Sequence, residues 1–390
     1  MTSEGVLYYQ GVDIMKRFAD CHIHIRGGKF DIIEKMLDEV ASKGVTDAAL
    51  AALPYRGASE NLCALYWKAN YKKMNVAAFG GIHSTEQFAL IPYEKQVEKL
   101  LDLGCDGIKL IDMDADVIRV NGNKCIDHED FDKMFSLLEE RNRPVLIHPA
   151  SPQECWEKPI PSDLPFEERA KTDHLSIYRG GWYGKPVMSF EEIYAANLRM
   201  LDKHPNLKVI FAHFFFLSRD IDEAVRVMET YPNVYFDLTP GTDSYVHFTI
   251  LHDKYHDFFE KYSDRILFGT DTNTYKDFNK EIHDYVLWTL EKDGVFTAPC
   301  YGFMDIHGLG LSEKAIENIC CNNYIRLVGD ELPKVDMEKV FDAAEYMLRE
   351  IKANPRDERR LHAATILDHV KEDLDQNTAI SFFEELLKRR

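Results

Sequence analysis

Two histidines separated by a single residue end the first β-rich run of the chain, Asp20-Cys21-His22-Ile23-His24. Because side chains alternate between the two faces of a strand, His22 and His24 lie on the same face. Two imidazoles placed in this way can bind one metal ion. Histidines also pair by chance, so the pair alone does not establish a site, and the ends of the other strands decide the question.

Four more polar residues lie at or just after the ends of later β-rich runs: Lys109, His148, His213 and Asp271. Each has an ordinary structural explanation when it is taken alone; Asp271, for example, could cap the next helix. Together with the histidine pair, they occupy the ends of five strands. Because the carboxyl ends of the strands of an α/β barrel form one rim, we expect these side chains to converge. The pattern therefore predicts a metal site at that rim.

Eight short apolar, β-rich runs alternate with stretches of helical periodicity along the chain. The runs are residues 18–25, 45–53, 75–80, 107–111, 144–148, 208–213, 233–238 and 265–269. Several of them lack an alternation of apolar and polar residues, which is typical of strands that are buried on both faces. Eight strands with eight helical intervals predict an α/β fold, the (β/α)8 TIM barrel.

Two segments fall outside this alternation. We expect residues 1–330 to form the barrel, with a lid-like insertion at about 150–189 that is rich in proline and aromatic residues. Residues 331–390 are expected to form a helical C-terminal extension. Their helical periodicity covers residues 335–353, 357–373 and 378–388.

The composition is that of a folded globular protein, with 45% hydrophobic and 29% charged residues among 390. Lys and Arg number 47 against 66 Asp and Glu, which gives a formal net charge of -19 and disfavours nucleic acid and anionic lipid as partners. No apolar run reaches the roughly 18 residues of a membrane span, and no signal peptide is visible. We expect a cytoplasmic protein that acts on a small-molecule substrate and has no nucleic-acid or membrane partner. A homo-oligomer is compatible with the sequence.

Several segments carry a resemblance to a known family. They are Asp20-Cys21-His22-Ile23-His24, Arg143-Pro144-Val145-Leu146-Ile147-His148, and residues 204–213, 231–237, 264–271 and 319–327. In this order the chain resembles the amidohydrolase superfamily, and more narrowly its branch of metal-dependent TIM-barrel proteins that includes aminocarboxymuconate-semialdehyde decarboxylase. The resemblance covers residues 18 to about 328 and departs at Phe214-Phe215-Phe216, where many relatives have glycines.

The resemblance implies a mononuclear metal site. In it, His22, His24, His148 and Asp271 would bind one divalent ion, and His213 would be an acid/base group or a further ligand. Imidazole and carboxylate ligands suit zinc, manganese or iron, of which zinc is expected.

Asp271 and His213 are the predicted catalytic residues. A water bound to the metal ion has its pKa lowered to about 7, and Asp271 could accept the proton that this water loses. His213 could polarise a substrate carbonyl as charge develops there. Asp237 and Thr239, at the end of the seventh strand, are expected to hydrogen-bond the histidine ligands.

Lys109 allows two interpretations. In some members of the superfamily a lysine at the end of the fourth strand is carbamylated and bridges two metal ions, which would make the site binuclear. Alternatively, Lys109 binds a substrate carboxylate as a cation, and this interpretation is favoured because the branch is usually mononuclear. Arg56, which follows the second strand, and Trp156, Arg179 and Tyr183 of the insertion are further candidates for substrate binding.

Three functions remain open for such a site. The leading hypothesis is hydrolysis of a lactone, ester or amide bond of a small polar substrate through a metal-activated water. The alternative is non-oxidative decarboxylation of an unsaturated or aromatic carboxylic acid, in which His213 would protonate the carbon that loses CO2. A barrel that only binds a ligand is the third hypothesis, and the complete set of metal ligands disfavours it.

Overall fold

Parallel strands form one sheet that runs around a barrel in the computed structural model, which describes residues 17–25, 29–53, 59–82, 92–111, 113–161, 175, 178–274, 281–298, 304–353 and 376–390. The strands are β1 (Ala19–His24), β2 (Asp47–Ala51), β3 (Asn75–Gly81), β4 (Gly107–Leu110), β5 (Val145–Ile147), β6 (Val209–Phe211), β7 (Val234–Asp237), β8 (Ile266–Leu267) and β9 (Thr272–Asn273). Their order in the sheet is β8-β7-β6-β5-β4-β3-β2-β1-β9. From β1 to β8, each strand therefore lies beside its neighbour in the sequence, as in a singly wound barrel.

The barrel closes through the segment that joins β8 to β9. β8 pairs with β7 on one side, and β9 pairs with β1 on the other. Between these pairings, the Cys21 amide donates a hydrogen bond to the Phe268 carbonyl oxygen, and the Asp271 amide donates to the His22 carbonyl oxygen. β8 and β9 are thus the two halves of a single strand, the eighth strand of the barrel. The prediction of a (β/α)8 barrel is confirmed.

Small side chains fill much of the barrel interior. An inner cluster of buried residues contains the alanines Ala19, Ala49, Ala51, Ala77 and Ala212. The opposite faces of the strands belong to the larger core that packs against the helices. Because both faces are buried, these strands have no polar face, which explains why the sequence shows no alternation there.

Helices cover the outside of the barrel. They are α1 (Phe30–Ser42), α2 (Ser59–Asn70), α3 (Tyr93–Leu103), α4 (Ala115–Val120), α5 (Glu129–Glu140), α6 (Phe190–Lys203), α7 (Ile221–Thr230), α8 (Thr242–Ile250), α9 (His252–Tyr262), α10 (Glu281–Glu291), α11 (Glu313–Glu317), α12 (Asn323–Val328), α13 (Met337–Ala353) and α14 (Gln376–Leu387). Most carry one apolar stripe towards the strands; in α1 it comprises Phe30, Ile33, Met36, Leu37 and Val40. In the described part of the chain, no helix combines the length and the apolarity that crossing a bilayer requires.

A β-bulge in β1 aims the histidine pair into the barrel. The pairing of β1 with β2 shifts register between Asp20 and Ile23. Cys21 faces the inner cluster, whereas Ile23 belongs to the outer core. Strict alternation would place both residues on one face, so the extra residue of the bulge turns the following side chains over. His22 and His24 therefore point inward from the carboxyl end of the strand.

The insertion at about residues 150–189 is described in part, since residues 162–174, 176 and 177 lie outside the described residues. It begins with a 3₁₀ turn, Gln153–Trp156. The Trp156 indole donates a hydrogen bond to the Met188 carbonyl oxygen over 2.9 Å, and the Trp182 amide donates to the Cys155 carbonyl oxygen. The two ends of the insertion are thus tied together. Its role as a lid stays a prediction.

Two of the three helices predicted for the extension are confirmed as α13 and α14, while the third, predicted at 357–373, lies outside the described residues. α13 and α14 pack against each other and against α2. The Phe382 ring stacks on Phe30 with centroids 5.4 Å apart, and the Arg389 guanidinium lies 4.2 Å from the centroid of the same Phe30 ring. The extension therefore packs on the barrel helices; a domain boundary at residue 330 stays a prediction.

The structure contains one element that the sequence patterns did not indicate. β10 (Asp293–Ala298) and β11 (Met304–Leu309) form an antiparallel hairpin outside the barrel. Five of the six residues of β10 are exposed or half-buried. An apolar β-rich run is the signal that marks a barrel strand, and a ribbon on the surface does not need one.

Candidate metal centre

Three predicted ligands converge at the carboxyl end of the barrel. The Nε2 atoms of His22 and His24 lie 3.0 Å apart. Asp271 Oδ1 lies 3.3 Å from His24 Nε2 and 3.9 Å from His22 Nε2. In the part of the chain that the structure describes, these residues form a group of potential metal ligands whose ligand atoms all lie within 4.8 Å of one another.

Hydrogen bonds to Nδ1 of each imidazole determine the protonation of Nε2, the nitrogen that faces the other potential ligands. His22 Nδ1 lies 2.8 Å from Asp237 Oδ2, and His24 Nδ1 lies 2.7 Å from the Ala51 carbonyl oxygen. Both partners accept, so each Nδ1 carries the proton and each Nε2 is left with its lone pair. The predicted hydrogen bond between Asp237 and His22 is confirmed, while the role of His22 as a metal ligand stays a prediction.

The loop that carries Asp271 is held to β1 by Asp20, a residue that the sequence reasoning did not single out. The Asp20 carboxylate accepts hydrogen bonds from the amides of His22 and Thr270 at 3.1 and 3.2 Å and from the Thr270 hydroxyl at 2.7 Å. Burial raises the pKa of Asp20 to about 7. The sequence did contain a signal for Asp20: an acidic residue stands two residues before a predicted ligand, in a strand with no solvent-facing side. Asp20 sets the distance between His22 and the Asp271 loop.

These donors fit a divalent metal ion. Ligand atoms bound at about 2.1 Å in a tetrahedral arrangement lie about 3.4 Å apart, and the observed separations of 3.0, 3.3 and 3.9 Å bracket that value. Burial lowers the pKa of His22 well below its ordinary value, which keeps the imidazole in the neutral form that binds metals. Two imidazoles and one carboxylate are a donor set suited to zinc and to neighbouring transition metals.

Lys109 reaches the same point from β4. It is buried, and its Nζ lies 3.1 Å from His22 Nε2. Burial lowers the pKa of Lys109 to about 8, while the carboxylates of Asp237 and Asp271 act in the opposite direction. A buried amine beside two carboxylates provides a local positive charge within a strongly acidic protein.

His148 and His213 form a second part of the site. Their ring centroids lie 4.9 Å apart, and the His213 centroid lies 6.1 Å from that of His22. The His213 amide donates hydrogen bonds to Asp237 Oδ1 at 2.8 Å and to Thr239 Oγ1 at 3.1 Å. The Asp237 carboxylate therefore holds both His22 and the start of the His213 turn. His148 lies beside His213, and its predicted role as a ligand stays a prediction.

His213 opens a left-handed turn made of four residues without glycine. His213, Phe214, Phe215 and Phe216 have φ values of 55°, 55°, 58° and 53°. A left-handed conformation costs about 1–2 kcal/mol for each L-residue, or about 4–8 kcal/mol for the turn. Burial of each phenylalanine contributes about 1.5–3 kcal/mol, or about 4.5–9 kcal/mol for three. The three rings are at most 7% exposed, so their burial offsets the cost of the turn.

The remaining predicted substrate residues make other contacts, are exposed, or lie outside the described residues. Arg56 is among the residues that the structure does not describe. Trp156 packs against Phe190, and Arg179 forms an ion pair with Glu157. The Tyr183 ring is half exposed. Their roles in substrate binding stay predictions.

The fold and the site together define a TIM-barrel protein with a candidate metal centre at the carboxyl ends of its strands. A family model described as amidohydrolase matches residues 19–329. The chain therefore belongs to the amidohydrolase family. The match begins with β1 and ends just after α12, so it contains every strand of the barrel.

Several solved structures are similar to this chain. 4-Oxalomesaconate hydratase from Rhodopseudomonas palustris is 12% identical, with 86% of this chain and 99% of that chain covered and a TM-score of 0.48. An uncharacterised TIM-barrel protein from Bordetella bronchiseptica is 16% identical, with 79% and 98% covered and a TM-score of 0.47. The IDCase of Metarhizium anisopliae is 14% identical, with 80% and 97% covered and a TM-score of 0.44. No curated protein matches the sequence.

Proposed function

We propose that the protein is a metal-dependent hydrolase that acts on a lactone, ester or amide bond of a small polar substrate. The observation that carries the proposal is the group of His22, His24 and Asp271 in one ligand-sized cluster. The two histidine side chains are 1% and 5% exposed, whereas Asp271 is 32% exposed. Asp271 is therefore the member of the cluster that a substrate can reach.

A divalent ion held by these residues would supply a Lewis acid that polarises a substrate oxygen and acidifies water, and zinc is the ion we propose. Asp271 has one oxygen towards the histidines and stands at the open side of the cluster. When the oxygen of a water molecule adds to the substrate carbonyl carbon, Asp271 can accept the proton that this water loses. It then returns that proton to the oxygen or nitrogen of the bond that breaks.

His213 and Lys109 are assigned to binding and polarisation. The Thr239 carbonyl oxygen lies 3.2 Å from His213 Nδ1, so the imidazole keeps a defined orientation. When both ring nitrogens carry a proton, Nε2 can donate to a substrate carbonyl as negative charge develops there. Lys109, as a buried cation, can hold a substrate carboxylate beside His22. Trp156, Arg179, Tyr183 and Arg56 are proposed to contact the rest of the substrate.

The test uses purified full-length protein supplied with zinc, manganese or iron and assayed on panels of lactones, esters and amides. We expect metal-dependent turnover of at least one of these bond types and loss of that turnover in Asp271→Asn. Bicarbonate release from an unsaturated acid, with no turnover of the hydrolytic panels, would overturn the proposal.

Decarboxylation of an unsaturated or aromatic acid is the second candidate, because the Lys109 amine provides a carboxylate partner beside the cluster. In that reaction the carbon–carbon bond to the carboxylate breaks, CO2 leaves, and a proton from His213 replaces it on carbon. A variant of His213 separates the two candidates: His213→Gln should abolish proton incorporation from solvent in a decarboxylase, which product analysis in deuterated water measures.

A further inference from the structure

Phe216 contacts both histidines of the second part of the site. Its ring stacks on His213, with centroids 5.2 Å apart and planes 28° apart. It meets His148 edge to face, with centroids 5.6 Å apart and planes 73° apart. Because His148 and His213 are themselves 4.9 Å apart, the three rings form a closed triangle in which each restrains the other two.

The left-handed turn produces this arrangement. In a tight turn with about three residues per repeat, side chains three positions apart lie on the same side. Phe216 is three residues after His213, so its ring lies over the imidazole. Phe214 and Phe215 face the other way: Phe214 packs against Phe236 and Phe248, and Phe215 stacks on Phe211 with centroids 3.8 Å apart.

We propose that Phe216 is a positioning residue, which fixes the imidazoles of His148 and His213 in the orientation that the candidate metal centre requires. The proposal rests on the proposed metal-dependent function. Phe216 is 7% exposed, so little of its ring is left for contact with a substrate. Its effect is therefore exerted through the histidines.

A role in packing alone predicts a different result. If Phe216 only filled space, replacement by glycine would relieve the backbone strain at φ 53° and would lower the free energy of unfolding through the lost burial of the ring. Metal binding would then stay unchanged. Phe215 is the matched control, because its φ is 58° and it is 2% exposed, while its ring packs against Phe211 and Tyr194. Replacement of either residue by glycine changes the backbone in the same way, and of these two described rings Phe216 is the one that contacts the histidines.

The experiment compares Phe216→Gly and Phe216→Leu with Phe215→Gly and Phe215→Leu; the leucine pair serves if a glycine variant fails to fold. Each protein is loaded with cobalt, and its visible absorption spectrum and the metal dissociation constant against a chelator are measured. We expect the Phe216 variants to change the spectrum and to bind metal about tenfold or more weakly. The Phe215 variants should keep the spectrum and lose only thermal stability. Equal spectra and affinities in both series would overturn the proposal.

A second measurement tests the positioning role of Phe216 independently of metal binding. In metal-free protein, the nuclear Overhauser effects between the ring protons of His148 and His213 should weaken in Phe216→Leu and stay unchanged in Phe215→Leu. If the wild-type protein binds no divalent ion, the proposed function fails, while these effects still report on how the two imidazoles are placed relative to each other. Unchanged effects in Phe216→Leu would overturn the positioning role even if metal binds.

Discussion

Oδ2 of Asp237, at the end of β7, lies 2.8 Å from Nδ1 of His22 on β1. The two residues are far apart in the sequence and meet because the barrel brings every strand end to one rim. The carboxylate orients the imidazole and determines which nitrogen carries the proton. One hydrogen bond across the barrel thus controls whether His22 can act as a ligand.

Asp237→Asn should therefore weaken metal binding. An amide can donate its own hydrogen to His22 Nδ1, which moves the imidazole proton to Nε2, the atom that must bind the metal. We expect the metal affinity to fall about 10- to 100-fold, measured by competition with a chelator. Asp243→Asn is the control, because Asp243 is also buried and follows the same strand. Equal affinities of the two variants would contradict this account of His22.

Asp271→Asn should separate catalysis from folding. Asp271 has φ 54°, a conformation that asparagine tolerates far better than alanine. At full metal occupancy, the variant should keep the thermal stability of the wild type and lose about 10²- to 10⁴-fold in kcat, because the amide cannot accept the proton. Asp271→Ala should lose activity and also melt at a lower temperature. A kcat within tenfold of wild type in Asp271→Asn would exclude Asp271 as the proton acceptor.

Much of this architecture could be predicted from the sequence, because the features in question are local. Runs such as residues 144–148 and 208–213 are apolar on both faces, and that pattern marks strands at the centre of an α/β fold. His22 and His24 share a face by strand periodicity alone. The rule that barrel strands end at one rim was then enough to bring Asp271 to them.

The parts that could not be predicted depend on tertiary structure. The bulge at Asp20–Ile23 is set by pairing with β2 and leaves no mark in the order of residues. The left-handed turn at Phe214 and Phe215 opposes the conformational preference of L-residues, and it exists only because the surrounding helices bury the rings. Asp20 was missed because Thr270, through which it holds the Asp271 loop, lies 250 residues away in the sequence.

Lys109→Met tests the role of the buried amine. If Lys109 binds a substrate carboxylate, the loss of one charge-assisted hydrogen bond costs about 1.5–3 kcal/mol, or roughly 10- to 100-fold in KM for an acidic substrate. The KM of a neutral analogue should stay unchanged, and so should the metal content. Loss of one of two metal equivalents, measured by elemental analysis, would instead support a carbamylated lysine that bridges two ions.

A buried ion pair beneath the barrel should matter for stability. Lys68 Nζ lies 2.7 Å from both carboxylate oxygens of Asp106, and the two side chains are 4% and 0% exposed. Asp106→Ala leaves a buried cation without its partner and should lower the free energy of unfolding by about 3–5 kcal/mol. Glu98→Ala, which removes the exposed partner of Lys95, should leave the free energy of unfolding nearly unchanged. Urea denaturation measures both, and equal costs would argue against a structural role for the buried pair.

His283 should make the fold sensitive to mild acid. Its ring packs against both Phe18 and Phe268, with centroids 5.0 and 5.2 Å away, and burial lowers its pKa below the ordinary value of 6.5. The unfolded chain therefore binds a proton more readily than the folded one. The contribution of His283 to stability is complete above about pH 6.5 and is lost as the pH falls towards its folded pKa.

His283→Phe removes this titration and keeps an aromatic ring in the same place. Among the described residues, His283 Nε2 has no hydrogen-bond partner, and Nδ1 is 3.4 Å from Asp284, so little polar interaction is lost. At pH 7.5 the variant should be about as stable as the wild type towards urea. At pH 5.5 the variant should be more stable than the wild type, because protonation of His283 in the unfolded chain lowers the stability of the wild type only. A constant difference in unfolding midpoint at the two pH values would mean that His283 is not the group that titrates.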